Sequence, residues 1–293
     1  MLTVAVTGAT GAQGGATARA LLAAGHRVRA LTRHPDSPAT NALRSLGAEV
    51  RHADFDDRPS LEAALTGADS LFAVTTPFGT DTATEVRQGK ALVGAAAEVR
   101  LGHIVFTSAA HADRGTGIPH YESKHLVEQH LHTAGVPWTV IAPAAFMDNY
   151  ASGWTLDGLR DGPFAWPMPG DRPLTLIPAS DIGTFAALIL QRRDEFTGRR
   201  IDIASDERTP SQMAEILANA IGRQVDHQEV PIAHVKTWSA DLAAMFEYFT
   251  TIGLDVDVAA LRRDYPEVGW HSFNDWALAQ NWPALLSTTP SHQ

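Results

Sequence analysis

Three glycines, Gly8, Gly11 and Gly14, stand at even spacing between a short apolar run and an alanine-rich stretch of good helix formers. In that order they can hold a pyrophosphate. Gly8 permits a tight bend, Gly11 withholds the Cβ that would keep a phosphate off the backbone, and Gly14 lets a helix pack closely on a sheet. The helix N-terminus then offers free N–H groups and a partial positive charge to the phosphates. Further on, Arg33 ends a second apolar segment, at a place where a basic residue accommodates the extra phosphate of NADP. The chemistry implied is dinucleotide binding with a preference for NADP(H).

Those residues act only if a strand, a turn and a helix present them. Leu2 to Val6 reads as a strand buried on both faces, and Thr17 to Ala24 as a helix with Leu21 and Leu22 on its apolar side. Arg27 to Thr32 is a second strand. The alternation continues with a helix over 38–46, a strand over 48–53, a helix over 60–65, a strand over 69–75, a helix over 84–98 and a strand over 102–108. A helix over 119–131 follows, with Leu126, Val127 and Leu131 on its buried side, stopped by Gly135 and Pro137 before a sixth strand over 138–141. Repeated βα units predict an α/β protein with a Rossmann-like, doubly wound parallel sheet, whose ligands bind beyond the carboxyl ends of the strands. Asp54 and Phe55 fall beyond strand three, where the aspartate can accept from an adenine amino group and the ring can lie nearby; the same acidic turn can cap the next helix. Thr75, Thr76, Pro77 and Phe78 form the loop after strand four, a wall for ribose and nicotinamide. Ser108 ends strand five, and Phe146 and Asn149 lie in the loop after strand six, where Phe146 is either a cofactor contact or core.

Residues 1–150 are thus expected to form a dinucleotide-binding domain and residues 151–293 a smaller C-terminal α+β substrate or partner region, with strands able to return to the main sheet. Trp154, Pro163, Trp166, Pro167, Pro169 and Pro173 crowd the start of the second region, and loops of that kind build pockets. Helices over 181–191, 210–221 and 232–249 and strands over 200–203 and 225–230 complete it. Trp238, Leu242, Met245, Phe246 and Phe249 have the spacing of core or pocket lining. Trp154, Trp166, Met168 and Phe246 are candidates to line a specialised substrate pocket.

The chain has 293 residues and a formal net charge of −10, a balance that works against nucleic-acid or anionic-membrane binding. Cysteine is absent, which excludes disulfides, a thiolate nucleophile and a Cys-based zinc site. The thirteen histidines show no metal-ligand spacing, so no metal is expected and most are expected on the surface. With a strand beginning at residue 2 and no apolar run long enough to cross a bilayer, a cytoplasmic monomer or homodimer acting on a small molecule is expected.

Several stretches together resemble a known family. They are Gly8-Ala-Thr-Gly-Ala-Gln-Gly-Gly15, Val28-Arg-Ala-Leu-Thr-Arg-His-Pro35, Asp54-Phe-Asp-Asp57, Val74-Thr-Thr-Pro-Phe78, Gln88-Gly-Lys90, His120-Tyr-Glu-Ser-Lys124, Val127-Glu128, Gly135-Val-Pro137, Asp181-Ile-Gly183 and Ala243-Ala-Met-Phe246. The sequence is similar to the NmrA-like branch of the atypical short-chain dehydrogenases, close to the human NmrA-like redox-sensor subgroup and to bacterial NAD(P)H quinone reductases. The resemblance implies NADP(H) binding, with Thr10, Ala12 and Gln13 joining the glycines as cofactor contacts. It leaves two functions open: an NADPH-dependent reductase of a small quinone, carbonyl or conjugated electrophile, or a non-catalytic NADPH/NADP sensor acting through a protein partner. In typical short-chain dehydrogenases a Ser, a Tyr and a Lys cooperate, the Tyr four residues before the Lys. Here His120 is four before Lys124 and Tyr121 three before. Lys124 is expected to hold the ribose; His120 is either the acid, since a histidine can donate a proton near neutral pH, or a residue that merely borders the nicotinamide. Tyr121, the other candidate acid, is rotated by about 100° from the usual tyrosine direction on a helix.

Overall fold

The structure is a computed structural model that describes residues 1–287. The chain runs through β1 (Thr3–Val6), α1 (Ala12–Ala23), β2 (Arg27–Thr32), α2 (Pro38–Ser45), β3 (Glu49–His52), α3 (Arg58–Leu65), β4 (Ser70–Val74), α4 (Thr82–Glu98), β5 (Ile104–Thr107), α5 (Pro119–Thr133) and β6 (Trp138–Pro143). There follow β7 (Ala145–Phe146), α6 (Gly153–Asp161), β8 (Phe164–Trp166), β9 (Leu174–Ile177), α7 (Ala179–Gln191), α8 (Arg193–Phe196) and β10 (Arg199–Ile203). The remainder holds β11 (Asp206–Arg208), α9 (Pro210–Ile221), β12 (His227–Glu229), α10 (Ile232–Lys236), α11 (Ala240–Thr251), α12 (Val258–Asp264), α13 (Phe273–Leu278) and α14 (Trp282–Ser287).

The chain divides into two units, one built from residues 1–143 and 179–202 and the other from 144–178 and 203 onward. In the first unit six strands lie parallel in the order β3-β2-β1-β4-β5-β6, and β10 lies beside β6. This is a doubly wound sheet whose order reverses between β1 and β4, the place where such folds open a crevice. One face packs Ala5, Leu71, Ala73, Ile104, Phe106 and Val140 against Leu61, Leu65, Leu92, Val93, Val127 and Leu131 of α3, α4 and α5. Elsewhere α1 packs along α7, and Gly183 makes that approach possible: a Cβ there would stand 2.6 Å from the Ala16 carbonyl carbon.

Two local expectations are corrected. Leu126 is exposed, because the inward stripe of α5 is His120, Tyr121, Ser123, Val127, Glu128 and Leu131. The helix expected over 232–249 is two helices: Ser239 accepts from Leu242 N–H, starts α11 afresh and leaves Trp238 half exposed. His103, His111 and His120 are buried, whereas the other described histidines are intermediate or exposed.

In the second unit β9 pairs antiparallel with β11 and parallel with β7, and β8 pairs with β12. Its core is aromatic. Tyr150 is fully buried, with ring centroids 4.8 Å from Trp166, 5.3 Å from Phe273 and 5.7 Å from Phe164. Burial pushes its hydroxyl far above the usual tyrosine range.

Candidate functional site

The site is built where β1 and β4 end. Gly8 adopts φ +59°, a conformation that favours glycine, and its carbonyl accepts the Gly11 N–H at 2.9 Å. A Cβ on Gly14 would lie 2.3 Å from the Gly8 oxygen and 2.5 Å from the Thr7 oxygen, so the first turn of α1 rests directly on the end of β1. Thr7 ties the two strands together. Its hydroxyl donates to the Val74 carbonyl at 3.0 Å and accepts from the Val74 N–H at 2.7 Å. The N-terminus of α1 carries no side-chain cap and no acidic residue in its first turn, which leaves its positive end to an anion. Gly11 and Ala12 are exposed there, and Gln13 is fixed by the Thr107 hydroxyl, which donates to its Oε1 at 2.7 Å.

From this turn a cleft of about 410 Å³ extends over the ends of β2, β3 and β4. Gly8, Thr10, Arg33, Asp54, Phe55, Thr75, Thr76 and Phe78 line it together. Leu31, Thr32, His34, Gly79 and Thr80 also line it and were not named as cofactor contacts from sequence; their strand-end and loop positions beside Arg33 and Pro77 are the signal that could have found them. Gln88, on α4, lines it too. Pro77 is buried beside the lining. Asp54 does not cap α3: its Oδ1 accepts from the Asp56 N–H at 3.0 Å, and Asp57 holds the N-cap position without a side-chain bond. Asp56 in turn accepts from Arg87 and Gln88, both at 3.0 Å. Those hydrogen bonds, with the nearby charges of Arg87 and Arg33, hold its carboxyl below the usual range.

Lys124 reaches the same strand end. Its Nζ donates to the Thr75 carbonyl and to Glu85 Oε1, each at 2.9 Å. Glu85, on α4, is fully buried and also accepts from the Thr75 hydroxyl at 2.9 Å and from the Ser123 hydroxyl. Sequence reading missed Glu85, since a glutamate in an amphipathic helix reads as solvent-facing. Its signal is Gly89 one turn later, where α4 must come close to a neighbour.

His120 and Tyr121 occupy the first turn of α5 and are buried, at 6% and 5% exposure. The His120 ring lies 5.6 Å from Phe78, which lines the cleft, and Tyr121 packs edge-on against His120 at 4.8 Å. Ser108 is buried at the end of β5, and its Oγ has no hydrogen-bond partner among the described residues. Phe146 belongs to the second unit, half-buried on β7 beside Ile177 of β9, and Asn149 is exposed. Among the described residues no group of His, Asp and Glu could hold a metal ion, and no helix is long and apolar enough to cross a membrane.

Comparison with known proteins agrees with this architecture. The chain is 30% identical over 236 residues to the (4-alkanoyl-5-oxo-2,5-dihydrofuran-3-yl)methyl phosphate reductase of Streptomyces griseus, covering 80% of this chain and 79% of that one. It is 27% identical over 256 residues to the nitrogen metabolite repression protein NmrA of Emericella nidulans, covering 80% and 70%. The crystal structure of the NADPH-dependent quinone oxidoreductase QOR2 of Escherichia coli, complexed with NADPH, superposes with a TM-score of 0.76 at 23% identity, covering 94% and 98%. Residues 2–277 match the NmrA-like family, and the chain belongs to that family.

Proposed function

We propose that the protein is an NADPH-dependent reductase of a small conjugated electrophile, quinone or carbonyl compound. The observation that carries the reading is the grouping of the glycine turn before an uncapped helix N-terminus with Arg33 and Thr75 along one cleft at the β1/β4 crevice, and the bond from Lys124, itself outside the cleft lining, to the Thr75 carbonyl. The residues fit a dinucleotide. The space where a Gly14 Cβ would clash is the close helix–strand packing that brings the turn to a pyrophosphate, and Ser108 Oγ is a buried polar atom awaiting a partner.

Gly8, Thr10, Gly11, Ala12, Gln13 and Gly14 would hold the pyrophosphate, with Arg33 on the 2′-phosphate and Asp54 and Phe55 at the adenine. Thr75, Thr76, Pro77 and Ser108 would border the ribose and nicotinamide, where Lys124 would hold the ribose. Bound NADPH supplies a hydride. Because Phe78 connects the cleft to His120, His120 is the better placed proton donor, with Tyr121 supporting its ring. A quinone or enone accepts electrons readily and demands little of the acid, so the absence of Tyr at position 120 is tolerable. The relatives named for reducing a dihydrofuranone phosphate and a quinone lend weight to acceptors of this class.

A second reading, a non-catalytic NADPH/NADP sensor with a protein partner, is favoured by the same His120 and by the likeness to a repression protein. One experiment separates the two: NADPH oxidation by purified protein against quinones, enones and aldehydes, with NADPH affinity titrated on the same sample. Turnover with an acceptor in the panel is expected. Tight binding without turnover would favour the sensor, and no NADPH binding would overturn both.

A further inference from the structure

We infer that Glu85 is a positioning residue for the cofactor site, acting through Lys124; the inference rests on the reading of the cleft as an NADP(H) site. An ammonium group has three N–H donors. Two are committed, to the Thr75 carbonyl and to Glu85 Oε1 at 2.9 Å each, which fixes the group and leaves one N–H for a ligand. A flexible four-carbon side chain would otherwise have to be ordered by the ligand, at a cost in affinity.

Glu85 can do this because it is buried and both of its oxygens are held by hydrogen bonds. It is 0% exposed, Oε1 accepts from Lys124 and from the Thr75 hydroxyl, and Oε2 accepts from Ser123. Ser123 precedes Lys124 on α5 and Thr75 closes β4, so one carboxylate ties a helix to a strand end at the residue that carries Lys124. The two helices are close enough for this only because of Gly89. It lies one turn beyond Glu85, faces Val127 one turn beyond Ser123, and has no room for a Cβ. The arrangement also changes what Lys124 contributes. Its charge is matched by a buried carboxylate, so it acts as a rigid hydrogen-bond fork and not as an unbalanced cation that would activate a neighbouring acid.

The test is a double-mutant cycle of Glu85→Gln and Lys124→Met, read by NADPH and NADH titration and by thermal melting without cofactor. Glu85→Gln keeps the shape and removes the charge; it is expected to weaken binding of both cofactors about tenfold in the wild-type background and less than twofold when Lys124 is already Met. Lys124→Met, which strands the buried carboxylate, is expected to lower the melting temperature, and adding Glu85→Gln to raise it again. If Glu85→Gln does not give folded protein, Ser123→Ala, which removes one donor to Glu85, is expected to weaken both cofactors two- to threefold, and no change overturns the role. Equal losses from Glu85→Gln in the two backgrounds overturn it as well. Failure of the wild type to bind NADPH would instead overturn the cofactor reading itself and the role of Glu85 with it.

Discussion

Gly89 of α4 and Val127 of α5 meet so closely that a Cβ on the glycine would stand 2.5 Å from Val127 Cγ2 and 2.9 Å from Cγ1. In most helix interiors Gly→Ala stabilises by about 1 kcal/mol. Here overpacking, worth about 1–3 kcal/mol, opposes it. Gly89→Ala should therefore lower stability by up to about 2 kcal/mol, measured by denaturant unfolding, and should weaken NADPH binding as Glu85 and Lys124 separate. Gly94→Ala, five residues along the same helix, meets nothing closer than 4.0 Å and should stabilise; equal behaviour of the two variants would refute the crowding.

Arg33 lies at the mouth of the cleft, while Arg87 and Gln88 make the hydrogen bonds to the neighbouring Asp56. Losing a charge-assisted phosphate contact costs about 1.5–3 kcal/mol. Arg33→Ala should weaken NADPH binding by roughly ten- to a hundredfold and NADH binding little, since NADH has no 2′-phosphate. Titration of the two cofactors checks this, and equal losses would remove Arg33 from the phosphate.

The glycine turn and the βα alternation were legible because both are local patterns, and Arg33, Asp54 and Thr75 could be placed by their offsets from strand ends. What resisted reading was burial of polar groups. Leu126 looked like part of the apolar stripe of α5, yet Ser123 and Glu128 are buried in its stead because each has a distant partner, Glu85 and Arg200. No periodicity can announce a partner 38 or 72 residues away. The place of β10 beside β6 was likewise hidden, since 55 residues separate Pro143 from the Arg199 that opens β10 and local pattern cannot choose the edge it joins.

Arg200 is the clearest case of such a partner. Its side chain is 15% exposed, and its Nε donates to the fully buried Glu128 at 3.1 Å while Nη2 donates to the Ala109 carbonyl at 3.0 Å and pairs with Asp113 at 3.2 Å. Nη1 bonds Asp202. Removing one member of a buried pair strands the other charge, at a cost of about 3–5 kcal/mol. Arg200→Met should lose that much in chemical denaturation, and Glu128→Gln added to it should recover part. A loss under about 1 kcal/mol would mean that Glu128 is solvated without Arg200.

His103 adds a pH dependence of its own. Its Nε2 lies 2.9 Å from the Thr139 hydroxyl, which spends its single proton on the Phe196 carbonyl at 2.9 Å, so Nε2 must be the donor and the neutral ring leaves Nδ1 bare. Burial, with the charge of Arg193 in support, lowers the pKa of His103 from 6.5 to about 4. Between those values the unfolded chain binds a proton that the folded protein refuses, so stability rises with pH across the window. The contribution is complete above pH 6.5, declines by about 1.4 kcal/mol per pH unit below it, and levels off near pH 4 after a loss of about 3 kcal/mol. His103→Gln keeps a donor for Thr139 and does not titrate. Its stability measured from pH 7 to pH 4 should fall less steeply than that of the wild type, and parallel curves would show that His103 takes up its proton in the folded state as readily as in the unfolded one.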